Sequence, residues 1–120
     1  MRITRGVAKR RDDSRDELDD FGRFSEPALL ILISLADGPK HGYAMTEDIG
    51  SIADVQLGPG TLYGAIARLE SRGLIEPIGS EDRRNPYRMT GLGEKALRLR
   101  LTTLEAVARA GRRRLSSAGA

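Results

Sequence analysis

The residues of this chain best suited to chemistry with a partner are Thr61, Tyr63 and Arg68. On a helical wheel of about 100° per residue they flank a face made otherwise of Gly60, Gly64, Ala67 and Ser71. An ordinary solvated face would carry Lys, Glu and Gln, which favour helix. Small residues instead let the backbone come close to another surface, and the flanking hydroxyl, phenol and guanidinium can hydrogen-bond to it. A DNA major groove is one surface that fits. Catalysis has less to work with. His41 is the only histidine and the chain has no cysteine, so no set of residues has metal-ligand spacing. No nucleophile or acid–base pair stands out either. The expected role of His41 is structural, at the start of a helix, with phosphate contact as the second reading. No enzyme, no metal and no cofactor are expected.

The helix carrying that face has a marked start and stop. Gly58 suits the N-cap, Pro59 the first helical position, and Gly73 the left-handed residue just past the end. Leu62, Ile66 and Leu69, with Ala65 beside them, form the opposite, apolar stripe. After it, Leu74–Ile78 and Tyr87–Thr90 read as two short strands around a polar turn, with Pro86 marking the start of the second. Before it, residues 25–36 read as a deeply buried helix capped by Ser25, with Leu29 to Ile33 and Leu35 leaving almost no polar face. Asp37 to Lys40 break that helix. The next runs from His41 to about Ile49, with Tyr43 or Ala44, Met45 and Ile49 as its apolar positions. Residues 50–56 form a linker, expected to contain a short stretch that pairs with the hairpin. The fold class expected is mainly α with a small β-hairpin: a winged helix-turn-helix followed by a C-terminal dimerisation helix.

The runs Glu26-Pro27-Ala28-Leu29-Leu30, His41-Gly42-Tyr43, Gly60-Thr61-Leu62-Tyr63, Arg68 to Ile75 and Tyr87-Arg88-Met89-Thr90 resemble a PadR-family transcriptional regulator, from Phe24 onward. The resemblance implies a DNA-binding surface, for which the candidates are Lys40, Tyr43, Gly60, Thr61, Tyr63, Gly64, Arg68, Arg83 and Arg84. For Tyr43, packing at the core edge and contact with the DNA backbone both stay open. Tyr63 is either a DNA contact, the favoured reading, or a cap on the core beneath the wing. At the wing tip, Glu81, Asp82, Arg83 and Arg84 nearly cancel in charge, which suits a solvated turn. The hairpin would also aim Arg83 and Arg84 at the DNA backbone or minor groove, and this reading is preferred. Where many members carry a basic, doubly aromatic run, this chain has Asn85-Pro86-Tyr87.

Residues 1–23 form a charged arm, basic from Arg2 to Arg11 and acidic from Asp12 to Asp20. A solvated tail, a basic contact to DNA phosphates, and a short helix docking through Leu18 and Phe21 are the three readings. Residues 24–90 make the DNA-binding domain, 91–115 the dimerisation helix and 116–120 a tail. That last helix starts at Thr90 as N-cap and runs to about Leu115. Leu97, Leu101, Leu104, Ala108, Gly111 and Leu115 follow one another in alternating steps of four and three, a heptad seam that Leu99 and Val107 widen. A helix so long would outrun its domain, so a second copy is the expected partner. The net charge is only +3, so partner inference rests on where the charges lie. No apolar run is long enough to span a membrane, no signal core follows the basic start, and the lack of cysteine fits a reducing cytoplasm. The function expected is a dimeric, sequence-specific DNA-binding repressor acting on an inverted repeat of double-stranded DNA. The resemblance adds a small-molecule effector as a candidate partner. The alternative is a winged-helix module for protein–protein association without DNA binding.

Overall fold

The computed structural model describes residues 26–79 and 85–119. Its elements are α1 (Pro27–Leu35), α2 (Gly42–Ala53), α3 (Pro59–Ser71), β1 (Ile75–Pro77), β2 (Tyr87–Met89) and α4 (Gly91–Gly119). This is the expected class, mainly helical with a two-stranded antiparallel hairpin and a long C-terminal helix. α1 lies at the centre: Leu29, Leu30, Ile31, Leu32 and Leu35 are all buried, and α2, α3, β2 and α4 contact it. Met45 and Ile49 of α2, Leu62, Ala65, Ile66 and Leu69 of α3, Ile75 of β1 and Leu97 of α4 close the same core. Each fully buried Leu, Ile or Met contributes about 1.5–3 kcal/mol relative to exposure.

Several boundaries differ from expectation, each for a physical reason. α1 starts at Pro27 rather than residue 25, with Glu26 as N-cap and no side-chain capping bond. Proline disfavours helical backbone in the residue before it, so the helix cannot include Glu26. Ser25, the expected cap, lies outside the described residues, as does the arm of residues 1–23. α2 passes through Gly50 and ends at Ala53, with Asp54 as its C-cap at a left-handed φ of 56°. A glycine inside a helix costs only about 1 kcal/mol. Burial of Ile49, and of Val55 and Leu57 after the turn, outweighs that cost. The stretch that pairs with the hairpin is consequently not in residues 50–56. It is Lys40, which exchanges two backbone bonds with Tyr87, at 3.1 and 3.0 Å, on the edge of β2 away from β1.

The hairpin pairs Ile75 with Met89, Glu76 with Arg88 and Pro77 with Tyr87, and Ile78 N–H donates to the Pro86 carbonyl at 2.9 Å. Thr90 joins three elements. Its hydroxyl donates to the Gly73 carbonyl at 2.6 Å and accepts the Gly93 N–H at 3.0 Å, capping α4. Gly93 is buried, and a Cβ there would overlap the Leu74 carbonyl oxygen, so α4 can approach the backbone just ahead of β1 this closely only at glycine. α4 runs past the expected end at Leu115 to Gly119; its 29 residues span about 43 Å.

Candidate nucleic-acid interface

α3 is built as its sequence suggests. Gly58 is the N-cap, Pro59 the first helical residue, and Gly73 follows the helix with φ 76°. Leu74 N–H bonds to the Leu69 carbonyl at 2.9 Å and Gly73 N–H to that of Glu70 at 3.0 Å, the paired bonds of a glycine-terminated helix. With Leu62, Ala65, Ile66 and Leu69 held in the core, Gly60, Thr61, Tyr63, Ala67, Arg68 and Ser71 are exposed and Gly64 half-buried. No atom lies within 4 Å of a Cβ added at Gly60, and only Arg68 Nη1 approaches one at Gly64, at 3.7 Å. The helix thus presents bare backbone at two successive turns, with the Arg68 guanidinium beside the second.

Tyr63 links this helix to the one before it. Its ring and hydroxyl lie over Gly42, the first residue of α2, so closely that a Cβ at Gly42 would overlap the phenolic oxygen. The ring is nevertheless 52% exposed. Tyr63 therefore does not cap the core; it braces α3 against the start of α2 and leaves one edge outward. Tyr43 is 75% exposed, so it does not pack at the core edge. The Glu47 carboxylate accepts its hydrogen bond and raises its phenol above the ordinary value. Tyr87, the third and last tyrosine, is half-buried. Burial raises its phenol first, then the negative charge of Glu70, then Tyr63.

These parts surround a cavity of about 300 Å³ lined by His41, Gly42, Tyr43, Ala44, Tyr63, Asn85 and Tyr87. His41 stands at the start of α2, as expected, as its N-cap; its side chain is exposed and makes no capping bond. The first N–H groups of a helix have no partner within it and form its positive pole. Backbone donors and phenol hydroxyls around one concavity suit the oxygens of a phosphate. Gly42, Asn85 and Tyr87 did not figure among the sequence candidates. The signal for Gly42 was its place between His41 and Tyr43; for Tyr87 it was its position at the start of the second strand.

Lys40 does not join this surface. Its ammonium donates to Asp37 at 2.6 Å and to the Ser34 carbonyl, with Asp48 at 3.9 Å. Ser34, buried within the aliphatic run of α1, donates to Asp48 at 2.7 Å. Lys40 thus belongs to a polar clasp between α1 and α2, and its hydrogen bond and charge hold the Asp37 carboxyl below its ordinary value. Arg83 and Arg84 lie outside the described residues. Among the described residues no three His, Cys, Asp or Glu side chains come together as metal ligands.

The heptad seam divides in two. Leu97 is buried and Leu104 packs against the core of its own domain. Leu101, Ala108 and Leu115 are exposed, at 36% for Leu101 and 76% for Leu115. Leu99 does not widen this seam, because two residues along a helix place it about 200° from Leu97.

The model of the transcriptional regulator PadR-like family matches residues 31–99. A transcriptional regulator from Clostridium thermocellum is 31% identical, with a TM-score of 0.62 over 69% of this chain and 86% of that one. A PadR family transcriptional regulator from Eggerthella lenta is 25% identical, with a TM-score of 0.69 over 82% of this chain and 89% of that one. An uncharacterised 37.1 kDa protein of a transposon from Streptomyces fradiae is 43% identical over 75 residues, which are 62% of this chain but 22% of that protein.

Proposed function

We propose, from the premise that this chain belongs to the PadR-like family of transcriptional regulators, that it is a repressor that binds an inverted-repeat operator as a homodimer. Regulators of this family bind DNA and are not enzymes. The observation that carries the finer reading is the outer face of α3. Gly60 and Gly64 leave its backbone open, and Thr61, Tyr63 and Arg68 stand beside them. Such a face enters a major groove, where Arg68 pairs with a guanine edge or the nearest phosphate. The Tyr43–Tyr63–Tyr87 cavity at the positive pole of α2 takes the adjacent phosphate, and Arg83 and Arg84 of the wing take the next. Lys40 has no part in this contact.

The second copy joins through the outward part of α4. Leu101, Val107 and Leu115 are exposed large apolar side chains that no described element covers. Two α3 helices related by a two-fold axis would read half-sites about one helical turn apart, or a multiple of it. A small-molecule effector would act by shifting that spacing. Among the described residues no helix is long and apolar enough to cross a membrane, and the working compartment proposed is the cytoplasm. Selection of bound fragments from sheared genomic DNA tests the proposal. Enrichment of a discrete inverted repeat is the expected result. Absence of any enriched sequence, with no salt-dependent affinity for bulk DNA, would favour the protein-association reading.

A further inference from the structure

Past Leu104, α4 leaves the body of its domain. Leu97 is buried and Leu104 packs partly on the core, but from Glu105 to Gly119 every residue except Ala110 is exposed. This overhang, residues 105–119, is about 22 Å long. Ala108, Gly111 and Leu115 carry the line of Leu97, Leu101 and Leu104 along it. Its middle is small: no atom lies within 4 Å of a Cβ added at Gly111, and Ala108 is next on the seam. A second helix can therefore come close there. On one flank of the seam stand Glu105 and Arg112, two turns apart. Both are exposed, and among the described residues neither forms an ion pair. About 10 Å of helix axis separates them, too much for the two to pair within one chain.

The body of the domain sets the direction of a partner. It covers α4 at Gly93 and Leu97, on the seam side from which a second helix would approach. A parallel copy would bring its own domain to the same height on that side, and would lay Arg112, Arg113 and Arg114 beside their own copies. An antiparallel copy puts the two domains at opposite ends, each overhang lying along the other. Three antiparallel registers keep the seams in step. The first needs Leu115 to face the partner's Leu97, which is buried, and sets Glu105 beside the partner's Glu105. The second gives Leu115 only the partner's Gly111 and sets Arg112 beside the partner's Arg112. The third matches Leu104 with the partner's Leu115, Ala108 with the partner's Gly111 and Leu101 with the partner's Ala118. There Glu105 meets the partner's Arg112, once on each side of the two-fold axis. Val107, on the other flank, is covered by the aliphatic stem of the partner's Arg114.

We propose that the overhang of α4 takes a second copy of this chain antiparallel in the third register, locked by two Glu105–Arg112 pairs across the axis. The inference rests on the dimeric reading above and supplies its geometry. The two-fold axis then passes between Arg109 and Ala110, about 19 Å along α4 from Leu97. The two domains consequently stand about 38 Å apart along the helix pair. One turn of DNA is about 34–36 Å, so the dimer is spaced for half-sites one turn apart and not two.

Charge exchange in the full chain tests the register. Glu105→Arg sets Arg beside Arg at both pairs, and Arg112→Glu sets Glu beside Glu. Each variant alone should weaken the dimer about tenfold at low salt, read by sedimentation. An equal mixture of the two should regain wild-type strength, because both pairs of the mixed dimer are again of opposite charge. Cysteines read the register without charge, since the chain has none of its own. Leu101→Cys and Ala118→Cys should form a disulfide when the two variants are mixed and oxidised. Neither should form one alone, because about 25 Å of helix axis then separates like positions. A disulfide in either variant alone would mean parallel helices and overturn the proposal. So would a dimer that forms no disulfide in the mixture and that neither charge variant weakens, although the dimeric reading would then stand. A monomer at every concentration would overturn both.

Discussion

At Gly42 there is no room for a methyl group, because the Tyr63 hydroxyl occupies its place. Gly42→Ala should therefore turn Tyr63 off the start of α2. The ring is half-exposed and free to swing, so the fold should survive with a stability change within about 1 kcal/mol. DNA affinity should fall, because the brace between α2 and α3 is gone. Unchanged affinity in a mobility shift, with Tyr63 shown to have moved, would remove Tyr63 from the interface. The arginines divide the work differently. Arg68 stands on a rigid helix, and Arg68→Ala should cost about 1–3 kcal/mol on the operator and less on scrambled DNA. Arg83→Ala with Arg84→Ala should weaken both DNAs alike. It should also reduce the slope of log affinity against log salt by about one for every phosphate that the wing no longer neutralises. Paired salt series on the two DNAs read both effects. A wing variant that loses discrimination while Arg68→Ala keeps it would reverse the roles.

Among the elements, the junction of α3, the hairpin and α4 sets the angle at which α3 stands, and Thr90 is its pin. Thr90→Val removes both the α4 cap and the bond to the Gly73 carbonyl while keeping the shape. A loss of about 1–2 kcal/mol in denaturant unfolding is expected. A change within a few tenths would mean that packing at Gly93 alone holds the junction. The ends of α3 were legible because Gly58, Pro59 and Gly73 each have one backbone use there. The cap at Thr90 was legible for the same reason. The far end of α2 was not, since Gly50 reads as a stop until the burial of Val55 and Leu57 is known. Nor was the strand contact at Lys40, a single residue whose pairing depends on where β2 passes. The clasp around Lys40 hid for a related reason. Ser34 and Asp48 are fourteen residues apart and become partners only when α1 and α2 pack. In the candidate site, the small face of α3 was visible as a pattern, but the convergence of three tyrosines at the start of α2 is purely tertiary.

For the molecule as a whole, the division of the heptad seam decides how a dimer can form. Leu97 and Leu104 serve the domain's own core, so charges there would unfold it and say nothing of association. Leu101→Asp with Leu115→Asp instead places two charges on the outward part. This pair should yield a folded monomer in sedimentation and a large loss of operator affinity, since one half-site alone remains. An unchanged dimer would move the interface to another surface. The claim on which everything else rests is that the small face of α3 meets DNA. Gly64→Glu tests it most directly. The position is open, so the side chain fits without strain, and a carboxylate four residues before Arg68 suits the helix. Circular dichroism should show an intact fold while a mobility shift on the selected operator shows no complex, because bulk and negative charge stand where the backbone approaches the groove. A folded Gly64→Glu protein that still binds its operator specifically would contradict the account.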